Sequence, residues 1–301
     1  ITISSVAEVI ESRTKIPIYE INKKNDKLIE LDSYLKKVII GQDDVINSLS
    51  KITKKIMLGF KEDLPYSFLF VGRSGVGKTM LVKEYSKYLN IPLIRLDMSE
   101  YKESHTVSKI IGSPPGYIGY DDMDTVLEKI KNNPYSILLL DEIEKACREV
   151  INLFLQALDE GVITDSHGNN VSLRNVIIMM TSNIGYDKEN IGFDNKIQSN
   201  SDIRNILSTS FVNRINSICH FKNLTNEDIS LILKKEIKLL EDKYNKNNIK
   251  IHVSKSIIDD IINKSEYEIY GVRHAKKMLD DKIDDLVIDG ILKGSEIINI
   301  K

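Results

Sequence analysis

Two cysteines in 301 residues, Cys147 and Cys219, are too few for a disulfide framework and form no metal-binding pattern. They point to a reducing compartment, the cytoplasm or an organelle stroma or matrix. Histidine is nearly as scarce, and its five copies stand singly, so no His-based metal site is expected. No uninterrupted apolar run approaches a membrane span and no secretory leader opens the chain, which leaves no membrane partner in view. An excess of charge is missing as well. The 42 Lys and Arg against 44 Asp and Glu leave a formal net charge of -2, which argues against wholesale binding of nucleic acid or lipid. The first residue is Ile1, so the chain reads as part of something longer.

What is present is a globular composition, 42% hydrophobic and 29% charged, over a length that suits one large domain and one smaller one. The stretch that organises it runs from Ser67 to Met80, SFLFVGRSGVGKTM. Phe68 to Val71 reads as a buried strand, and Gly72 to Thr79 fits GxxxxGKT, the phosphate-binding loop pattern. Gly72, Gly75 and Gly77 allow backbone angles that turn consecutive N–H groups onto a polyphosphate at the start of the following helix. Lys78 adds a point charge for the terminal phosphates, and the Thr79 hydroxyl is placed to ligate Mg²⁺.

Ile1 to Asn25 reads as a connecting arm, broken by Pro17. Leu28 to Val38 and Asp43 to about Leu58 read as helices. Apolar runs at Leu93 to Asp97, Ser136 to Leu140, Val176 to Thr181 and Ser217 to Phe221 add four strands to the first. Near-continuous apolar strands alternating with helices predict a parallel sheet covered on both faces, with its ligand at the carboxyl ends. From Leu224 the expectation is helices only, opened by a capping box at Thr225 and Asp228, with a short strand at Ile297 to Ile300. The expected division is an arm over 1–27, an α/β domain over 28–222 and a helical subdomain over 223–301.

Ile137 to Leu140 run straight into Asp141 and Glu142. A carboxylate at the end of a buried strand beside the phosphate loop can hold Mg²⁺ through water, and the next one can activate a hydrolytic water. Asn183, just past the following strand, can hydrogen-bond that water or the terminal phosphate. Arg214 precedes the fifth strand and Arg273 sits on a C-terminal helix; alone, neither points to more than a solvated arginine.

Together these residues resemble the AAA+ ATPases, and within them the Clp family of ATP-driven protein unfoldases. The resemblance is carried by GRSGVGKT (72–79), LDMSEY (96–101), GSPPGYIGY (112–120), PYSILLLDEIEKA (134–146), TSNIG (181–185), FVNRI (211–215) and GVRHAKKML (271–279), in family order over nearly the whole chain. AEVIESRTKIPI, near the start, looks like the linker before the second ATPase module of two-module Clp proteins. The implied fold is α/β: a P-loop NTPase domain with a five-stranded parallel sheet between helices, plus the helical subdomain.

The implied nucleotide is ATP with Mg²⁺. It is held by Gly72, Arg73, Ser74, Gly75, Val76, Gly77, Lys78 and Thr79, with Met80 in the helix behind, and Ile39 and Ile40 form the adenine-side wall. Thr79 and Asp141 serve the metal. Glu142 becomes the catalytic glutamate, Asn183 the sensor of the terminal phosphate, and Arg273 a second sensor that also touches nucleotide. Arg214 becomes an arginine finger completing a neighbour's site, which requires a ring, hexameric in this family.

Gly116, Tyr117, Ile118 and Gly119 match the family's pore loop, an aromatic between glycines that grips an extended polypeptide by apolar contact. DSHGNN (165–170) corresponds to a second pore loop. Ile191, Gly192 and Phe193 match the tripeptide by which some Clp unfoldases dock a ClpP-type peptidase. The implied partners are unfolded or tagged protein substrates, with that peptidase and adaptor proteins. The chain departs from the family at Met123 and Asp124, where a glycine pair is usual, at Arg13 in place of a linker Trp, and at Ser208 to Ser210, which lack the usual Pro-Glu. The rival readings are a disaggregase without peptidase, a nucleotide-gated scaffold with little turnover, and, remotely, a small-molecule P-loop kinase.

Overall fold

A computed structural model describes residue 5 and residues 25–58, 60, 64–113, 125–186, 195–246, 249–267, 271–292 and 297–300. In chain order the elements are α1 (Asn25–Val38), α2 (Asp43–Met57), β1 (Tyr66–Val71), α3 (Lys78–Leu89), β2 (Leu93–Asp97), α4 (Ser108–Ile111), α5 (Val126–Asn132), β3 (Ile137–Asp141) and α6 (Arg148–Glu160). Then follow β4 (Val162–Thr164), β5 (Asn170–Ser172), β6 (Ile177–Ser182), α7 (Asn195–Leu207), α8 (Thr209–Val212), β7 (Ser217–His220), α9 (Asn226–Asn245), β8 (Lys250–Val253), α10 (Lys255–Lys264), α11 (Val272–Leu292) and β9 (Ile297–Ile300). They group into two compact units, one of residues 1–39, 43–72 and 78–221, the other of residues 40–42, 73–77 and 222–301.

The first unit is built on a five-stranded sheet in the order β2-β3-β6-β1-β7, every pairing parallel. The five expected strands are all there; β1 starts two residues earlier than predicted, and the other four lie within a residue of their predicted bounds. All residues of β3 and β6 are buried, as are those of β1 after Tyr66, the pattern of strands covered on both faces. Edge strand β2 instead alternates, with Ile94 and Leu96 buried and Arg95 exposed. Phe68 and Phe70 stack along one face of β1 with ring centroids 5.9 Å apart, and Phe221 meets Phe70 edge-on at 5.8 Å. Such pairs add about 0.5–1.5 kcal/mol to the burial of the rings themselves. The sheet's order matters for function because β1, β6 and β3 are adjacent, so the segments leaving their carboxyl ends emerge side by side: Val71 is level with Ser182, and Leu140 with Met180.

The second unit packs α9, α10 and α11 around Ile229, Leu233, Ile257, Ile261, Leu279 and Ile283. The capping box forms as expected: Thr225 accepts the Asp228 N–H, and the Asp228 carboxylate accepts the Thr225 N–H. The expectation of helices alone up to β9 is corrected by β8, which pairs parallel with β9, Ile251 level with Ile298. Four residues in which Ile251 alone is fully buried carry too little periodicity to be told from a loop. Gly290 lies where α11 meets β9; a Cβ there would come within 2.6 Å of Ile298 Cδ1. Residues 40–42 join this unit through Gln42, whose side-chain amide gives and takes one bond with the Lys222 backbone, each of 2.9 Å.

Candidate nucleotide-binding site

The loop that follows β1 begins with Gly72, whose N–H is held by the Ser182 carbonyl at 3.2 Å, so loop and β6 are fastened at their shared edge. Gly75 and Gly77 adopt φ of +81° and +103°, the left-handed turns a phosphate cradle needs and side chains resist. Within the second unit, the crown of the loop lies against Gly271. A Cβ on Gly271 would sit 2.9 Å from the Ser74 carbonyl oxygen, and one on Gly75 would sit 3.1 Å from Val272 N. Arg73 is half-buried, Ser74 exposed and Val76 buried. Lys78 opens α3, with Met80 exposed on its first turn.

Lys78 is 7% exposed, and its ammonium donates to the Gly72 carbonyl at 2.6 Å and to Asn183 Oδ1 at 2.8 Å. A buried ammonium is tolerated only when several acceptors meet it, and two are seen here. Asn183 is itself fixed from behind, its N–H donating to Glu144 Oε1 at 2.9 Å. The strand ends thus bring Lys78 and Asn183 together, although they are 105 residues apart in sequence.

Asp141, at the end of β3, is 5% exposed. Its Oδ1 accepts the hydroxyls of Thr79 (2.9 Å) and Thr181 (2.6 Å), and its Oδ2 accepts Nε (3.1 Å) and Nη2 (2.7 Å) of Arg95. Glu142 follows in the left-handed region, φ +58° and ψ +54°, its N–H bonded to Thr181 Oγ1 at 2.9 Å. Its carboxylate makes no hydrogen bond among the described residues. Arg95 lies outside every motif, and Thr181 and Glu144, though inside TSNIG and PYSILLLDEIEKA, take no role from them. Their signals are a lone cation in an edge strand, a hydroxyl ending an apolar run and a second acid after the DE pair, and none means anything before the strands are registered.

Among the described residues no three His, Cys, Asp or Glu side chains gather into a metal cage. Thr79 and Asp141, one hydroxyl and one carboxylate in contact, fit instead a small hard cation that keeps waters and takes its remaining oxygens from a phosphate, the habit of Mg²⁺.

Arg214 lies past α8, which Ser208 caps by accepting the Phe211 N–H at 3.3 Å. Its guanidinium pairs with Asp159 and donates to both Ser210 O and Ser210 Oγ at 2.9 Å. Arg273, in the first turn of α11, is exposed. Ile39 is buried and Ile40 half-buried in the turn after α1. The pore-loop residues Gly116, Tyr117, Ile118 and Gly119 and the tripeptide Ile191, Gly192 and Phe193 lie outside the described residues, as do Met123, Asp124 and Arg13.

Asp165 to Asn169 form the turn of the β4–β5 hairpin, and Asn170 opens β5. Burial opposes ionisation of Asp165, but the Asn169 N–H at 2.8 Å, the Lys131 ammonium at 3.0 Å and the His167 N–H at 2.9 Å outweigh it and hold the carboxyl at about 2. The turn is tied to the root of the Gly112 to Tyr120 segment, since Ser166 N–H donates to Ile111 O at 2.9 Å.

The fold and these contacts define a P-loop nucleotide-binding protein. Family models give it a place: one described as an AAA domain (Cdc48 subfamily) matches residues 64–218, and one described as the C-terminal, D2-small domain of ClpB protein matches residues 224–299. The chain belongs to the Clp-type AAA+ ATPases and corresponds to their second module. Over 97% of its length it is 35% identical to the ATP-dependent Clp protease ATP-binding subunit ClpC of Staphylococcus epidermidis, covering 39% of that protein. It is 38% identical to the chaperone protein ClpB of Malacoplasma penetrans, with 97% of this chain and 42% of that one aligned. The ClpE subunit of Streptococcus pneumoniae is 37% identical, over 96% of this chain and 40% of its own. A closed-state cryo-electron microscopy reconstruction of Hsp104 with ATPγS and FITC casein superposes with a TM-score of 0.86 at 30% identity, over 97% of this chain and 53% of that one. The chain therefore spans about two fifths of the length of the curated relatives it matches. No helix among the described residues is long and apolar enough to cross a membrane.

Proposed function

We propose that this chain is the ATP-hydrolysing motor module of a protein unfoldase, working in a hexameric ring in the cytoplasm or a comparable reducing compartment. The observation that carries the reading is the convergence of Lys78, Asn183, Thr79 and Asp141 through hydrogen bonds of 2.8–2.9 Å at the strand ends beside the glycine loop. The loop N–H groups and Lys78 hold the polyphosphate of ATP, and Asn183 is positioned to touch its terminal group. Thr79 and Asp141 would hold Mg²⁺, which would supply positive charge against the negative charge developing on the phosphoryl oxygens. Glu142 takes the proton of the attacking water. Arg214, presented on the surface by Ser210 and Asp159, serves the site of the next subunit, and Arg273 senses nucleotide from the second unit.

Tyr117 and its flanking glycines grip substrate. An apolar ring between glycines can contact polypeptide without reading sequence, which suits a motor that must act on many proteins. In a ring of the full-length protein, Tyr117→Ala is expected to leave ATP hydrolysis without substrate running while unfolding of a tagged fluorescent protein falls at least about tenfold, the cost of one desolvated aromatic contact. Unchanged unfolding by that variant would remove Tyr117 from the grip.

Ile191, Gly192 and Phe193 support coupling to a ClpP-type peptidase, as do relatives named as Clp protease subunits. A disaggregase without peptidase is the second reading, favoured by the ClpB-type match over residues 224–299 and the likeness to Hsp104. Co-precipitation with the ClpP of the same organism separates them. The peptidase reading expects retention by the wild type and loss in an Ile191→Ala/Phe193→Ala variant; equal retention of both, or of neither, excludes docking through this tripeptide.

A further inference from the structure

The geometry points to Thr181 as a positioning residue that sets the orientations of Asp141 and Glu142 together, an inference that rests on the reading of this site as an ATPase. Thr181 is 1% exposed and closes an otherwise apolar run in the central strand β6, Ile177-Ile178-Met179-Met180. A hydroxyl buried there must find partners, and a β-branched apolar residue would serve the strand equally well. Its partners are not backbone groups of its own strand. The hydroxyl donates to Asp141 Oδ1 at 2.6 Å, and the same oxygen accepts the N–H of Glu142 at 2.9 Å. One hydroxyl can do both at once, because its proton and its lone pairs are separate sites.

Each bond settles something that the chain near Asp141 leaves open. The Asp141 carboxylate can rotate. With Arg95 on Oδ2 and Thr181 on Oδ1, it presents Oδ1 to the Thr79 hydroxyl, so the two groups offered to the metal face one another. Glu142 carries a Cβ in a left-handed conformation that such residues avoid, and the bond to Thr181 Oγ1 is the hydrogen bond seen for its N–H. The register that sets Leu140 level with Met180 puts the next pair, Asp141 and Thr181, within reach of each other. Thr181 thus makes the metal-facing carboxylate and the water-activating one a single preorganised unit, and a shift of one strand end past the other would disturb both together.

The test uses the full-length protein with Thr181→Val, which keeps shape and removes both bonds, and Thr181→Ser, which keeps the hydroxyl. The first readout is binding of a fluorescent ADP analogue as a function of Mg²⁺ concentration, which needs no turnover. Thr181→Val is expected to raise the Mg²⁺ concentration for half-maximal binding about tenfold and to lower kcat about tenfold, with KM for ATP at saturating Mg²⁺ within about threefold of wild type. Thr181→Ser should return both towards wild type. A wild-type Mg²⁺ dependence and kcat in Thr181→Val would overturn the inference, as would a valine variant whose losses serine fails to restore. If Thr181→Val does not fold, Thr181→Ala carries the same comparison against Thr181→Ser. The parent reading fails differently: wild-type protein would then bind no nucleotide at any Mg²⁺ concentration.

Discussion

Glu142→Gln is expected to lower steady-state phosphate release by about 10²–10⁴-fold, or about 3–5 kcal/mol of barrier, while ATP affinity stays within about threefold of wild type. Glutamine has the size of glutamate, and the Glu142 backbone is held by Thr181 whatever the side chain is, so the cradle should not change. What is lost is the ability to accept a proton from water. The Glu142 carboxylate makes no hydrogen bond among the described residues and gives up no contact there when it is neutralised. Phosphate release and equilibrium binding, measured on the same preparation, check the two halves. Turnover within a few-fold of wild type would strip Glu142 of its role, and weak binding would mean that it helps to hold nucleotide.

Arg214→Ala should cost about 10³-fold or more in turnover, the range known for arginines that stabilise a transferring phosphoryl group. The guanidinium lies on the surface with Asp159 and Ser210, in the α8–β7 connection. Such an arginine can act on a neighbour's nucleotide, and its removal should leave binding by its own subunit alone. Mixing decides whether it acts in trans. Glu142→Gln subunits have a finger but no base, whereas Arg214→Ala subunits have a base but no finger, so mixed rings should recover activity that neither variant shows alone. Mixed rings as inactive as the two parents would place Arg214 outside the neighbour's site; full activity in rings of Arg214→Ala alone would leave it no catalytic part.

How far the sequence reaches depends on the range of the forces that build each feature. Three of the main strands, β1, β3 and β6, were legible because each is a short apolar run buried on both faces, a local signal. The glycine loop was legible because positive φ at Gly75 and Gly77 needs glycine. Strand β8 was not, since a single buried Ile251 fits strand and loop equally. Nor were the three-residue strands β4 and β5, which are too short to show alternation. In the site, Lys78, Thr79, Asp141 and Asn183 could be named from motifs and are found bonded in two pairs, Lys78 with Asn183 and Thr79 with Asp141. Arg95 and Thr181 could not, because what they touch depends on how β2, β3 and β6 are registered, a property of pairing between strands far apart in the chain. The capping box at Thr225 lies at the opposite extreme: a three-residue pattern read from sequence and found as drawn.

Whether Lys78 meets a nucleotide's phosphates is tested most directly by equilibrium binding of a fluorescent ATP analogue with Mg²⁺ to wild type and to Lys78→Ala. Removing a buried ammonium from the mouth of the cradle should weaken binding at least about 30-fold, the equivalent of roughly 2 kcal/mol for a charge-assisted contact. Equal affinity in the two proteins would contradict the assignment of this loop as the seat of ATP.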